Sequence, residues 1–299
     1  MKSVILVTGA STGIGHLSAR SLAQAGHTVY ASMRDTQGCN APKVRELRDW
    51  SFARGFDLRA VELDVLSQPS ADAAMVHILA EQGRLDAVVH NAGHLVVGPT
   101  EAYTPEEIIK VLDTNFLGSQ RVNRAVLPVM RKAEAGLVLW VSSSTVRGGF
   151  PPFLGPYAAA KAAMDSMAVT LSYELARFGI ETSIVVPGAF TKGTAHFPSA
   201  GKPADEAITA AYARYDGVMD QVGERLSALS PAHADPQAVA DDITRIVGLP
   251  AGRRPFRSVI DFIDDGAGEV TVVAERVREE FAHRIGIADM LKPTPRRAA

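Results

Sequence analysis

Short, nearly continuous apolar runs alternate with segments of helical periodicity along most of this chain. Val4-Ile5-Leu6-Val7 lacks any polar alternation, as expected of a strand covered on both faces. Further strands are expected at Thr28 to Ser32, Leu58 to Leu63, Ala87 to His90, Leu137 to Val141, Thr182 to Val186 and Arg257 to Ile263. The first intervening helical stretch carries Leu17, Ala19, Leu22 and Ala23. This alternation predicts an α/β fold: a doubly wound, seven-stranded parallel sheet with helices on both faces. Thr104-Pro105-Glu106-Glu107 marks a helix start, with an N-cap hydroxyl, a proline at the first helical position and a glutamate closing a capping box. That helix is expected to run to about Lys132, and Pro156 suits the first turn of another.

Beyond Pro187 the pattern loosens. Residues 189–235 hold glycines, prolines and one amphipathic helix around Ala204 to Leu226, which reads as a substrate-covering insertion within a single domain of residues 1–299. Asp235-Pro236 starts another helix. A last helical pattern runs from Glu269 to Arg284, and residues 286–299 are expected to form a flexible tail.

Composition narrows the classes. With 299 residues, 46% of them hydrophobic, and a net charge of -2, the chain can bury a sizeable core and has no bulk attraction to nucleic acid. Its one cysteine, Cys39, rules out an intrachain disulfide and suits a reducing cytoplasm, the expected location. The apolar run after Lys2 is too short for a secretory signal, and no apolar segment is long enough to span a bilayer, so no membrane partner is expected.

Chemistry enters at Tyr157 and Lys161. Their i, i+4 spacing stacks both heads on one helix face. Tyrosine ionises near pH ~10, so proton exchange near neutrality needs a shift of roughly three units, or about 4 kcal/mol. One lysine charge at ~5 Å in an effective dielectric of ~20 supplies only ~3 kcal/mol. An oxidised nicotinamide and a serine hydroxyl are natural sources of the remainder. A dinucleotide site is expected at Thr8-Gly9-Ala-Ser11-Thr12-Gly13-Ile14-Gly15, where glycines at a strand-to-helix turn let backbone amides approach a pyrophosphate. The spacing departs from G-x-G-x-x-G, with three residues between the first two glycines and one between the last two.

Read in order, T-G-x-x-x-G-I-G, Asn91-Ala92-Gly93, Asn115, Ser144, Tyr157, Lys161 and Pro187-Gly188 resemble the short-chain dehydrogenase/reductase family from about Ser3 to Thr191. The flank Val29 to Asp35 is similar to the subgroup of hydroxysteroid and retinol dehydrogenases. The resemblance implies a Rossmann-like oxidoreductase acting on a ketone or secondary alcohol. It makes Tyr157 the acid in reduction and base in oxidation, and gives Lys161 the tasks of lowering the tyrosine pKa and binding the nicotinamide ribose. Ser144 would donate to the substrate oxygen, and Asn115 would hold a water joining Lys161 to solvent.

The serine stays open. Ser142, Ser143 and Ser144 are consecutive, and alternate strand residues face opposite sides. The family's serine-to-tyrosine spacing favours Ser144, while distance from the apolar strand points to Ser143.

For the cofactor, the resemblance, counted from Gly26, puts at Met33 the position where an acid would bind an adenosine ribose; Arg34 follows, and its guanidinium matches a 2′-phosphate. With Ser11 adding a hydroxyl, NADP(H) is expected over NAD(H), with NAD still possible. Gly9, Ser11, Thr12, Gly13, Ile14 and Gly15 would hold the pyrophosphate side. Asp64 and Val65 would meet the adenine beside a wall of Asn91, Ala92 and Gly93. Pro187, Gly188 and Thr191 would meet the carboxamide. Phe150, Phe153, Leu154, Phe190 and Phe197 could form an apolar substrate pocket, although loop aromatics are as often satellite core. His94 and His196 read as ordinary loop residues, and no His, Cys and acid spacing suggests a metal. By resemblance a homodimer or homotetramer is expected through the alanine-rich helix 156–178. A dinucleotide-binding sensor without turnover is the alternative of another class; a sugar-nucleotide epimerase fits the chain length and glycine spacing less well.

Overall fold

The computed structural model describes residues 2–215 and 217–293. Seven strands lie in one parallel sheet of order β3-β2-β1-β4-β5-β6-β7. They are β1 (Val4–Val7), β2 (Thr28–Met33), β3 (Leu58–Glu62), β4 (Ala87–His90), β5 (Gly136–Val141), β6 (Ile180–Pro187) and β7 (Arg257–Ile260). β1, β2 and β4 are buried at every residue, which is why their sequences are largely apolar. The helices are α1 (Gly13–Gln24), α2 (Ala41–Arg54), α3 (Gln68–Gln82), α4 (Pro105–Leu112), α5 (Gly118–Ala133), α6 (Gly155–Ala176), α7 (Glu206–Ala211), α8 (Val218–Leu229), α9 (Gln237–Gly248) and α10 (Ala267–Arg284).

Two cores sandwich the sheet. Leu22, Leu47, Val239 and Ile243 pack on one face beside Ile5 and Val89, and Ile78, Val122, Met130 and Met164 on the other beside Leu6 and Trp140. The order in which strands are added reverses between β1 and β4, and such switch points open a crevice at the carboxyl ends of the strands.

Two expected helices are interrupted. The capping box at Thr104 and Glu107 is present, but Asp113–Leu117 form a π turn that separates α4 from α5. Asn115 sits in that turn, and its Nδ2 donates to the Val111 carbonyl at 3.0 Å. The helix expected from Ala204 to Leu226 is broken into α7, a 3-10 turn and α8, with Gly217 in the left-handed region at φ 72. Of the expected tail, Ala288–Leu291 form a 3-10 turn tied to the end of α6 by Asp289 and Arg177 at 3.0 Å. Residues 294–299 lie outside the described residues.

Candidate active site

The crevice deepens into a cavity of about 1080 Å³. At one end is the turn between β1 and α1. Gly9 has φ +64, and a Cβ there would stand 2.8 Å from the Ala92 Cα. At Gly15 a Cβ would collide with the Asn91 amide and the Gly9 carbonyl. The turn is braced from β4: Asn91 Nδ2 donates to the carbonyls of Thr8 and Gly9 at 3.0 and 3.1 Å. Thr8 Oγ1 accepts from the amides of Asn91 and Ala92 at 3.0 and 3.1 Å. The first turn of α1 carries no acid, so its positive end is free for an anion.

Gly9, Ser11, Thr12, Gly13, Ile14, Arg34, Asp64, Val65, Asn91, Ala92, Gly93, Pro187 and Gly188 all line the cavity. Gly15 does not line it and instead permits the close packing beneath it. Thr191 is also outside the lining, with its Oγ1 buried and unpartnered. At the end of β2 the nearby acids are occupied: Asp35 Oδ2 accepts from the Cys39 amide at 2.7 Å, and Glu62 accepts from the amides of Asp35 and Thr36. Both are committed to their own turn, which leaves Arg34 available to a phosphate.

Tyr157 and Lys161 stand at the other end, both buried, in the first turns of α6. The serines settle into three directions. Ser142 Oγ donates to Asp165 Oδ2 at 2.7 Å. Ser143, still extended at φ -159, accepts from the Thr145 amide at 3.3 Å and from Thr145 Oγ1 at 2.9 Å, and it is the side chain that acts to lower the Tyr157 pKa. Ser144 opens the 3-10 turn Ser144–Val146 and acts to lower the pKa of Asp265. All three serines line the cavity; the strand's extended geometry persists one residue past Ser142, the 3-10 turn begins at Ser144, and Ser143 is the one that acts on the tyrosine.

The electrostatics also differ from expectation. Burial pushes the Tyr157 phenol up to about 12, with only Ser143 acting to lower it. Burial pulls Lys161 down to about 8, against the attraction of Asp165. Lys161 Nζ donates to the Val141 carbonyl at 2.9 Å and lies 6.0 Å from the Tyr157 ring centre. In the free protein, desolvation of the phenolate thus outweighs the nearby lysine. The Asn115 side chain holds the neighbouring loop, accepting from the His94 amide and donating to its carbonyl, both at 3.1 Å. It lies outside the cavity lining, beneath Gly93.

Residues 3–202 match the family model described as short chain dehydrogenase. The chain belongs to the short-chain dehydrogenase family. It is 36% identical over 190 residues to the 3-ketodihydrosphingosine reductase of Bacteroides thetaiotaomicron, covering 64% of this chain and 65% of that protein. To the 17-beta-hydroxysteroid dehydrogenase type 1 of Homo sapiens it is 34% identical over 197 residues, 62% of this chain and 56% of that one. The chain thus matches less than two thirds of the length of these curated relatives. Among solved structures, a short-chain dehydrogenase from Streptomyces avermitilis superposes with a TM-score of 0.71 at 27% identity, covering 96% of this chain and 97% of that one. A variant of actinorhodin polyketide ketoreductase with NADPH gives 0.70 at 27% identity over 89% and 97%.

In this short-chain dehydrogenase several cavity residues escaped sequence reasoning. His196 stacks edge-on against Tyr157 with ring centres 5.6 Å apart, and burial lowers its pKa to about 4, so the ring is neutral. Leu226 and Leu229 reach in from α8, and Ile263, Asp264 and Asp265 from the loop after β7. No local motif announces them, because they meet the site only through the fold. Of the expected pocket aromatics, Phe150, Phe190 and Phe197 line the cavity with Leu154. Phe153 does not; at φ 67 it turns toward Tyr212 and Tyr215. The segment after β6 is tied back to the fold by the Val97 amide donating to the Gly201 carbonyl at 2.8 Å and the Ala204 amide donating to Glu107 at 2.9 Å.

Proposed function

We propose that this protein is an NADP(H)-dependent oxidoreductase that interconverts a ketone and a secondary alcohol on an apolar small molecule. The observation that carries the reading is a single cavity with the braced glycine turn and Arg34 at one end and Ser143, Tyr157 and Lys161 at the other. The glycine turn fits a pyrophosphate, Arg34 fits a 2′-phosphate, and Pro187 and Gly188 on the cavity wall would meet a carboxamide. The NADPH complex of the 27% identical ketoreductase supports the same cofactor. When bound, the nicotinamide supplies or accepts a hydride at its C4.

The chain's own groups do the proton work. In reduction Tyr157 Oη gives its proton to the carbonyl oxygen, and Ser143 Oγ donates a hydrogen bond to that oxygen as negative charge develops on it. In oxidation Tyr157 takes the proton. Its ionisation, opposed by burial, needs positive charge from Lys161 and from the oxidised nicotinamide together. Asn115 acts as a positioning residue, fixing the His94 loop against the π turn. Phe150, Leu154, Phe190, Phe197, Leu226 and Leu229 hold the apolar skeleton and exclude water.

The test is NADPH and NADH oxidation across a ketone panel, run beside Tyr157→Phe. Turnover with NADPH, lost in the variant, is expected. Cofactor binding without product across the panel would favour a sensor, and unchanged turnover in Tyr157→Phe would remove the tyrosine from the chemistry.

A further inference from the structure

α10 presents two faces. Its inner face is anchored: Ala267, Thr271 and Ala282 are buried, Glu275 binds Arg257 on β7 at 3.1 Å, and Arg278 lies 3.8 Å over the Phe256 ring. Along a second line the helix leaves large apolar side chains in water, with Val270 46% exposed, Val273 53%, Val277 51%, Phe281 56% and Ile285, just past its end, 51%. Steps of three, four, four and four residues keep them on one side of the helix. Together they expose on the order of 450 Å² of apolar surface, the size at which a patch marks an interaction site.

The arrangement of the patch identifies its partner. Counted from Val277, the apolar positions stand at minus seven, minus four, zero, plus four and plus eight. This pattern reads nearly the same when reversed. Charges border it in the order Glu269, Arg276, Glu280, Arg284, which reverses into its own complement. We propose that α10 packs antiparallel against α10 of a second copy of this chain, with the two-fold axis at Val277. Val273 of each copy then meets Phe281 of the other, and Val270 meets Ile285. Glu269 meets Arg284, and Arg276 exchanges its neighbour Glu280, 2.8 Å away in the same helix, for the one across the axis. A parallel pair would put this charged flank on opposite sides of the seam and lose the match of Glu269 with Arg284, so the charges select the antiparallel one. The two helix dipoles also oppose each other in this arrangement.

The contact is isologous, as a two-fold requires. Two such patches bury about 900 Å² of apolar surface before the charged rims are counted, close to the ~1,200 Å² at which specific interfaces begin. A membrane surface is a poorer match, since α10 carries four glutamates and three arginines and has no basic face for anionic lipid. The surface is separate from the α6 face exposing Ala159, Ala162, Ser166 and Thr170.

The proposal is tested on the full chain in a Cys39→Ser background, which removes its exposed thiol. Val277→Cys should form a disulfide-linked dimer on mild oxidation, while Val272→Cys, on another face of the helix, should not. Val277→Glu should halve the particle mass by light scattering, with an unchanged circular dichroism spectrum and at least ~10-fold weaker association. Equal cross-linking of both cysteines, a mass unaffected by Val277→Glu, or a monomeric wild type that sediments with anionic phospholipid vesicles would overturn it.

Discussion

Ser143 is the side chain that counteracts the burial of the Tyr157 phenol, while Ser144, one residue on, acts on the Asp265 carboxyl instead. If Ser143 steadies the substrate oxygen, Ser143→Ala should lower kcat/KM by ~10² to 10³, the usual cost of losing one such donor. Ser144→Ala should stay within several-fold of wild type. Steady-state kinetics on both variants decide it, and the reverse ranking would restore the assignment drawn from spacing.

Arg34 lines the cavity while Asp35 and Glu62 are committed to their own turn. Arg34→Ala should raise the KM for NADPH by roughly 10- to 100-fold, in line with ~1.5 to 3 kcal/mol for hydrogen bonds to a charged group. The KM for NADH should barely change. Parallel losses with both cofactors would show that Arg34 does not read the 2′-phosphate.

Lys161 carries a pH signature. Burial lowers it to about 8 in the free protein, and only its protonated form offers three donors to ribose hydroxyls. Binding that prefers the proton raises the bound-state pKa, so affinity is full below about 8 and declines as pH rises through the bound value. Fluorescence titration of NADPH against pH should show this decline in wild type. A Lys161→Met variant should bind more weakly and lose the pH dependence; an identical profile in the two would assign it elsewhere.

Asp165 and Arg257 form a buried pair, Nη1 to Oδ2 at 2.6 Å and Nη2 to Oδ1 at 2.9 Å. Burial opposes ionisation of Asp165, but Arg257, Ser142 and Arg147 outweigh it and hold the carboxyl below its usual range. Asp165→Asn removes the bidentate carboxylate from a buried guanidinium, leaving it Glu275 alone, and should destabilise the fold by about 3 kcal/mol. Because the folded pKa is depressed, this stabilisation is present above the unfolded value of ~3.9 and is lost as pH falls through the folded one. Chemical denaturation should therefore show a large gap between wild type and variant at neutral pH that closes in acid. A gap that persists unchanged in acid would contradict the ion-pair account.

The sheet was legible because strands buried on both faces must be largely apolar, and Val4–Val7 and Ala87–His90 begin and end where their predicted runs do. The capping box at Thr104 and Glu107 was equally plain, since its chemistry lies within four residues. The π turn at Asn115 was not, because one extra residue per turn leaves the apolar periodicity of the flanking helices nearly intact. The break at Gly217 went unread for a similar reason: an amphipathic pattern continues across it.

Local sequence determined the glycine turn, the i, i+4 placement of Tyr157 and Lys161 and the order of strands and helices, since backbone sterics and burial periodicity act over a few residues. Which serine reaches Tyr157, the placement of His196 on the tyrosine ring and the arrival of Leu226 and Asp265 at the same cavity depended on elements brought together from distant parts of the chain. So did the protonation balance of Tyr157 and Lys161. Desolvation depends on everything packed around a group, and no spacing within α6 encodes it.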